Sequence, residues 1–302
     1  MTSALLMTHY AQFVKHYSWR RRLRALLRDT ALFFLSLPAD MARKGAAVRF
    51  TSYHHVFDDE RLAFARQLKY LKNYWEFISL EHAVQMVRGE LPIDGQYYCM
   101  TFDDGYRNCL SNALPILQEQ QCVATFFVVT ALVDAVTALQ AEQGRDAPLV
   151  GRAETEMLER ILGFTPGRDG PTVPFLNWAE CRQLQEAGMT VASHTRSHRN
   201  LSLLAVQEVR QEMRRSRADI LQHLGRDVPH IACPVGRPIL DFRPEVDPVV
   251  AAEEGYASFI TSERGANRAG DNPYRMRRDH LCAWWGNHQV KYFFSRPWQP
   301  RP

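Results

Sequence analysis

The sequence predicts an α/β fold: a closed or nearly closed barrel of strand–helix units, with a helical arm in front of it and a helical insertion within it. Three observations predict this. From Ala46 onward short apolar runs alternate with amphipathic helical stretches, the texture of parallel strands joined by crossover helices. Roughly seven such units follow one another, enough to curl a sheet towards closure. The 302 residues, 46% of them hydrophobic, can bury the core of one large α/β domain or two small ones.

Taken in order, VRFTSYHHV reads as the first strand, followed by a helix expected over Arg61–Asn73, the strand FISL, a helix over Glu81–Gly89 and the strand YYCMTF. A helix expected over Asn108–Gln120 then leads into VATFFVV. Residues 131–175 interrupt the alternation with helices expected at Asp134–Gln143 and Glu154–Leu162 and the Gly/Pro-rich FTPGRDGPTVP. A structureless loop of that length is unusual in a compact domain, so an insertion with its own structure is expected, placed to lid a site. The alternation then resumes: MTVASH follows a helix expected over Trp178–Ala187, IACPVG one over Leu201–Leu224, and YASFIT one over Pro248–Glu254. The expected division is an arm at 1–45, a barrel domain at 46–290 and an aromatic, proline-rich tail at 291–302.

The arm carries the basicity. Residues 1–50 hold nine Lys/Arg against two Asp/Glu, which leaves 28 against 31 in the remainder. Tyr10, Phe13, Val14 and Tyr17, then Leu23, Leu26, Leu27 and Phe34, recur at helical spacing among Arg20, Arg21, Arg22, Arg24 and Arg28. A basic amphipathic helix lying on an anionic membrane has this pattern, and so does a helix packed on the barrel with its arginines in water. A signal peptide fits poorly, because the apolar run Ala31–Leu37 is short and lies far from the start. No run is long enough to span a bilayer. Six cysteines (Cys99, Cys109, Cys122, Cys181, Cys233, Cys282) include no CxxC pair and sit beside apolar strands, as buried thiols of a reducing compartment do. The expectation is a cytoplasmic chain with peripheral contact at the inner membrane face and no nucleic-acid partner.

The chemistry gathers at two strand ends. YYCMTF delivers Asp103 and Asp104, with Gly105 permitting a tight turn, and MTVAS delivers His194 and His198 in SHTRSH. Adjacent buried carboxylates repel unless a cation binds them or one holds a proton. If the turn after Ser193 is helical, the two histidines share a face and can grip one ion. One carboxylate with two imidazoles is an open, catalytic type of metal site. Each half also has an ordinary reading, the aspartates as a helix cap and the histidines as coincidence among eleven. Occurring together at ends of one sheet, they point to a metal.

TFDDG at Thr101–Gly105 and SHTRSH at Ser193–His198 resemble the first two motifs of the polysaccharide deacetylases, the NodB-homology group of carbohydrate esterase family 4. ATFFVV and NWAECRQLQEAGMTVASH occur in that family's order. YHHV at Tyr53–Val56 with FARQLKYLKNYWEFISLEHA is similar to the opening of the branch that includes bacterial poly-N-acetylglucosamine deacetylases. The resemblance spans Tyr53 to about His280. It implies a distorted (β/α)7-type barrel in which Asp103 is the general base and Asp104, His194 and His198 hold a divalent metal, zinc first, with nickel, cobalt, iron or manganese also compatible. It points to His54 as the acid for the leaving amine, with His55 or His280 as alternatives.

One segment departs from the family pattern. Where an arginine-containing FRPPYG is common, this chain has IACPVG, with Ala232 at the arginine position and Val235 at the tyrosine position. Pro234, Val235 and Gly236 can still form an oxyanion turn, since a backbone N–H needs no side chain. Arg237 or Arg277 is the candidate to orient Asp103 instead. Trp178, Trp284 and Trp285 are candidate sugar platforms or core packing. The expected function is metal-dependent removal of N-acetyl groups from an amino-sugar glycan or glycan precursor, with a catalytically inactive glycan-binding barrel as the alternative.

Overall fold

The computed structural model of the chain describes residues 7–14, 19–39, 41, 45–143, 161 and 174–295. Its strands are β1 (Ala47–Tyr53), β2 (Glu76–Phe77), β3 (Gln96–Phe102), β4 (Thr125–Val128), β5 (Thr190–Ser193), β6 (His230–Ala232), β7 (Ser258–Ile260), β8 (Ala266–Asn267) and β9 (Arg278–His280). The helices are α1 (Tyr10–Val14), α2 (Trp19–Ser36), α3 (Arg61–Leu71), α4 (Leu80–Arg88), α5 (Leu114–Glu119), α6 (Thr130–Gln143), α7 (Trp178–Glu186), α8 (Val206–Leu224), α9 (Asp247–Glu253) and α10 (Asn287–Ser295).

All nine strands join one sheet in the order β7-β6-β5-β4-β3-β1-β8, with β2 on β3 and β9 on β1. Every pairing is parallel except β1 with β8. Met276 bridges Ile260 of β7, and two residues later β9 pairs Arg278 with Phe50 of β1. The segment 276–280 thus links the two ends of the curled sheet, the barrel-like α/β architecture the alternation predicts.

The strands read as unbroken apolar runs because both faces are buried. Val48, Phe50, Cys99, Phe127, Ala192 and Ala232 pack on one face, while Tyr98, Met100, Phe102, Phe126 and Val128 face the other with the helices. All six cysteines are free thiols. Arg49 on β1 and Asp279 on β9 form a buried ion pair at 2.6 Å that pins the closing strand.

Several local expectations change. The turn after Asn108 is a π-helical stretch, Cys109–Ala113, before α5 begins. The helix before β6 splits into a 3₁₀ turn at Leu201–Leu203 and α8. Helix α10 runs through the expected boundary at residue 290, with Phe294 fully buried. The expected helix Glu154–Leu162 lies outside the described residues apart from Ile161. In the arm Met7, Leu32 and Met41 are buried. No helix among the described residues is long and apolar enough to cross a membrane.

Helix α9 docks on α8 through Glu254, which accepts Arg210 Nη1 at 2.7 Å and Arg214 Nε at 2.7 Å. The hydrogen bond from Arg214, with that from Arg210, outweighs partial burial and holds this carboxyl below its ordinary value of 4.5. A carboxyl depressed in the folded state stabilises above its unfolded value and loses that contribution as pH falls. Glu254→Gln is therefore expected to lower stability by about 1 kcal/mol at pH 7, discounted for solvent screening, and by less below pH ~4. Urea midpoints of the two proteins across pH check this.

Candidate metal and hydrolase site

Residues at β1, β3, β5, β6 and β9 come together here. β3 ends at Phe102, and the Asp103 N–H donates to Tyr53 O at 2.9 Å, continuing the ladder by one residue. Asp104 and Gly105 then both adopt left-handed backbone, φ 72° and 80°, so the chain turns sharply and Asp104 stays at the strand end. Left-handed backbone costs a non-glycine residue about 1 kcal/mol or more, a strain that clusters at functional sites. A Cβ at Gly105 would also lie 3.3 Å from Val128 Cγ1.

The two histidines meet without a helical turn between them. His194 follows β5 directly, its N–H donating to Val128 O at 2.9 Å, and the chain to His198 is a loop with Thr195 at φ 64° and His198 at φ 54°. Helix α8 shapes that loop from below. Glu212 accepts Ser197 N at 2.8 Å and Ser197 Oγ at 2.6 Å, and Ser216 Oγ lies 2.8 Å from Ser193 Oγ. Asp219 accepts Thr130 Oγ1 at 2.7 Å and also holds Arg196.

Asp104, His194 and His198 are all buried, with one ligand atom from each lying within 4.8 Å of the others. Nε2 of His194 and of His198 each sits 3.4 Å from Asp104 Oδ1, longer than a good hydrogen bond, and that oxygen has no hydrogen-bond partner among the described residues. Nδ1 of His194 lies 2.8 Å from the carbonyl of Ala232. As an N–H donor there it leaves the Nε2 lone pair facing the carboxylate. A carboxylate oxygen facing imidazole nitrogens in a buried site is the donor set of a divalent cation, so the residues fit a metal.

Asp103 has a different partner. Arg278 Nη1 donates to its Oδ1 at 2.7 Å and to Thr101 Oγ1 at 3.0 Å, and Thr101 Oγ1 in turn donates to Thr51 O at 2.8 Å. Burial pushes the Asp103 carboxyl up, but the Arg278 guanidinium and the nearby imidazoles bring it below the usual range. Burial likewise opposes, and His194 and His198 outweigh it, in holding Asp104 well below that range.

This corrects the expectation for the orienting arginine. Arg237 is engaged with Asp241 at 2.7 Å, and Arg277 with Asp271 at 3.2 Å, and neither guanidinium is on Asp103. The signal that separates Arg277 from Arg278 is strand parity. β9 pairs Arg278 with Phe50, so Arg278 shares the face of Phe50 and Cys99, and Asp279 turns to Arg49.

Of the three candidate acids, His54 lies 4.0 Å from Asp104 Oδ2 and its ring centroid is 5.0 Å from that of His280. His55 is engaged by Glu60 at 3.0 Å and stacks on Tyr10. Burial lowers the His54 imidazole below its ordinary value, against the opposing pull of Asp104 and Asp103. Tyr10, His54, His55, Tyr106, Ile161 and His280 line a cavity of about 210 Å³ beside the cluster. At the end of β6, Val235 is half-exposed at φ 56° and Gly236 has φ 75°. A Cβ at Gly236 would sit 2.9 Å from Ser262 N, so only glycine fits that turn. Trp178 is core: its indole N–H donates to Asp134 at 2.7 Å and its ring stacks on His223. Trp285 is buried as well, while Trp284 is partly exposed and stacks on Tyr10.

The chain matches the family profile described as polysaccharide deacetylase over residues 92–247, a span that includes Asp103, Asp104, His194 and His198. None of the curated proteins compared with it matches. Among solved structures, IcaB from Ammonifex degensii is similar at 21% identity and a TM-score of 0.63, covering 84% of this chain and 99% of that one. The deacetylase PplD of Streptococcus pyogenes, solved in complex with acetate, is similar at 21% identity and 0.60, covering 84% and 100%. A de-N-acetylase from Aggregatibacter actinomycetemcomitans is similar at 18% identity and 0.62, covering 82% and 99%. At these identities the shared property is the fold.

Titrated with Zn²⁺ against a chromophoric chelator, the chain is expected to take up one ion. His198→Ala is expected to weaken that uptake by roughly 100-fold and Glu212→Ala, which touches only the loop, by roughly tenfold.

Proposed function

The chain belongs to the polysaccharide deacetylase family, whose members are amide hydrolases acting on N-acetyl groups, and we propose that it removes N-acetyl groups from an amino-sugar glycan or glycan precursor in a metal-dependent reaction. The observation that carries this reading is the division of labour between two neighbouring aspartates, one facing two imidazoles and one held by a guanidinium.

In this reading Asp104, His194 and His198 hold the ion. A divalent ion bound there supplies Lewis acidity for a poor acyl electrophile and makes water acidic enough to ionise near neutral pH. Zinc suits the one-carboxylate, two-imidazole set, and nickel, cobalt, iron or manganese are compatible with the same donors. Asp103, ionised through Arg278, takes the proton of the attacking water. It is buried and hydrogen-bonded on one oxygen by Arg278, so its orientation is held before substrate arrives.

Expulsion of the amine needs a proton on the nitrogen. His54 is the proposed donor, supported by its position between Asp104 and His280, whereas His55 is committed to Glu60. The Pro234–Gly236 turn, with the Val235 N–H as donor, is the proposed support for the developing oxyanion. An inactive barrel would be favoured if the arginine missing from the IACPVG segment left Asp103 without a cationic partner. A guanidinium on Asp103 from β9 removes that argument, and the active reading is favoured. Peripheral contact of residues 1–45 with a membrane belongs to the same proposal.

Acetate release from a panel of N-acetylated oligosaccharides and lipid-linked precursors tests it. Asp103→Asn is expected to lose at least 100-fold in kcat while keeping its metal, and His54→Ala to lose kcat with little change in metal uptake. Absence of acetate from every substrate in a metal-loaded chain would overturn the reading.

A further inference from the structure

Among the described residues, half of the exposed large hydrophobic side chains belong to one helix and the turn that ends it: Trp19, Leu23, Leu26, Leu27, Phe33, Phe34, Leu35 and Leu37, at 45–69% exposure. Helix α2 touches the body on its other side. Leu32 and Ser36 are buried there, and Asp29 accepts from His288 Nε2 at 3.0 Å and from Gln289. At helical spacing Trp19, Leu23, Leu26, Leu27 and Phe34 form a stripe turned away from that contact, and the exposed Arg20, Arg24 and Arg28 run along one flank of the stripe. Asp29, the helix's acidic residue, is turned away to the body.

We infer that the outward face of α2 docks the chain on an anionic bilayer surface. The chemistry of the face selects this occupant. An apolar stripe with tryptophan at one end, flanked by arginines whose stems can lie along it, matches the acyl boundary and the anionic headgroups of one lipid leaflet. A second copy is the poorer partner, since pairing two such stripes in register brings two arginine rows together. The helix is too charged to cross the bilayer, so it lies in the interface.

Docking there also places the candidate site close to the membrane. Phe33 lies at the edge of the stripe and lines a groove of about 400 Å³ together with Arg66, Trp284 and His288. Trp284 in turn stacks on Tyr10 at 5.7 Å, and Tyr10 walls the cavity that holds His54. A surface of aromatic and cationic side chains therefore runs from the lipid-facing stripe to the reaction cavity. On the deacetylase reading, the substrate is a glycan held near the bilayer.

Sedimentation of the full chain with phosphatidylglycerol-containing vesicles and with pure phosphatidylcholine vesicles tests the docking independently of any turnover. The expected result is binding to the anionic vesicles that falls as salt rises and weakens at least roughly tenfold in both Leu27→Glu/Phe34→Glu and Arg20→Gln/Arg24→Gln/Arg28→Gln. Unchanged circular dichroism and Zn²⁺ uptake establish that the variants are folded. Equal binding to both vesicle types, binding unchanged in either variant, or no binding overturns the inference. So does a concentration-dependent dimer of the wild-type chain that Leu27→Glu/Phe34→Glu dissolves.

Discussion

The contact between Arg278 and Asp103, 2.7 Å apart with both side chains at 3–4% exposure, is the interaction on which the rest of the site depends. A carboxylate at the end of a buried strand loses its water, and without a cation it would take a proton or stay costly. The guanidinium arrives from β9, about 175 residues later in the chain. It arrives there because residues 276–280 link β7 to β1, and because Arg49 and Asp279 pin β9 to its neighbour. Closing the sheet and placing a guanidinium on Asp103 are thus the same structural event.

The second constraint is strain. Asp104, Thr195, His198 and Val235 all hold left-handed backbone, and all four flank the cavity end of the sheet. Such conformations persist only where the surroundings over-determine them. Here the surroundings are visible: a glycine after Asp104, the Glu212 carboxylate gripping Ser197, and the Ala232 carbonyl fixing the His194 ring. Helix α8 supplies both Glu212 and Asp219, and the loop adds its own hydroxyls, with Ser193 Oγ accepting Thr195 N and Thr195 Oγ1 accepting His198 N, so the histidines are positioned by a helix surface together with the loop's own side chains.

Much of this was legible in the residues. Apolar runs buried on both faces identify β1, β3 and β4, and strand-end placement identifies Asp103, Asp104, His194 and His198 as one group. The segment between the histidines was not legible, because four-residue spacing does not distinguish a helical turn from a loop with two left-handed residues, and the structure has the loop. Sequence alone points to Arg237 or Arg277 as the orienting arginine, and the residue that reaches Asp103 is Arg278. Telling adjacent arginines apart needs the register of a three-residue strand, which depends on a pairing across the whole sheet rather than on local periodicity. Trp178 illustrates the opposite case: its type invites a sugar platform, and its partner Asp134 and its stacking on His223 make it a packing residue. The N-terminal arm was readable as amphipathic, but which face meets the body is settled only by Asp29, Leu32 and Ser36.

The central claim is that a guanidinium delivered by the closing strand keeps Asp103, the proposed base, ionised and aimed. The most direct measurement is kcat for acetate release by Arg278→Gln and Arg278→Lys, with bound metal quantified in the same preparations. The account predicts full metal occupancy in both, a loss of at least roughly 100-fold in kcat for Arg278→Gln with KM little changed, and partial recovery in Arg278→Lys. Wild-type turnover by a fully metal-loaded Arg278→Gln would contradict it.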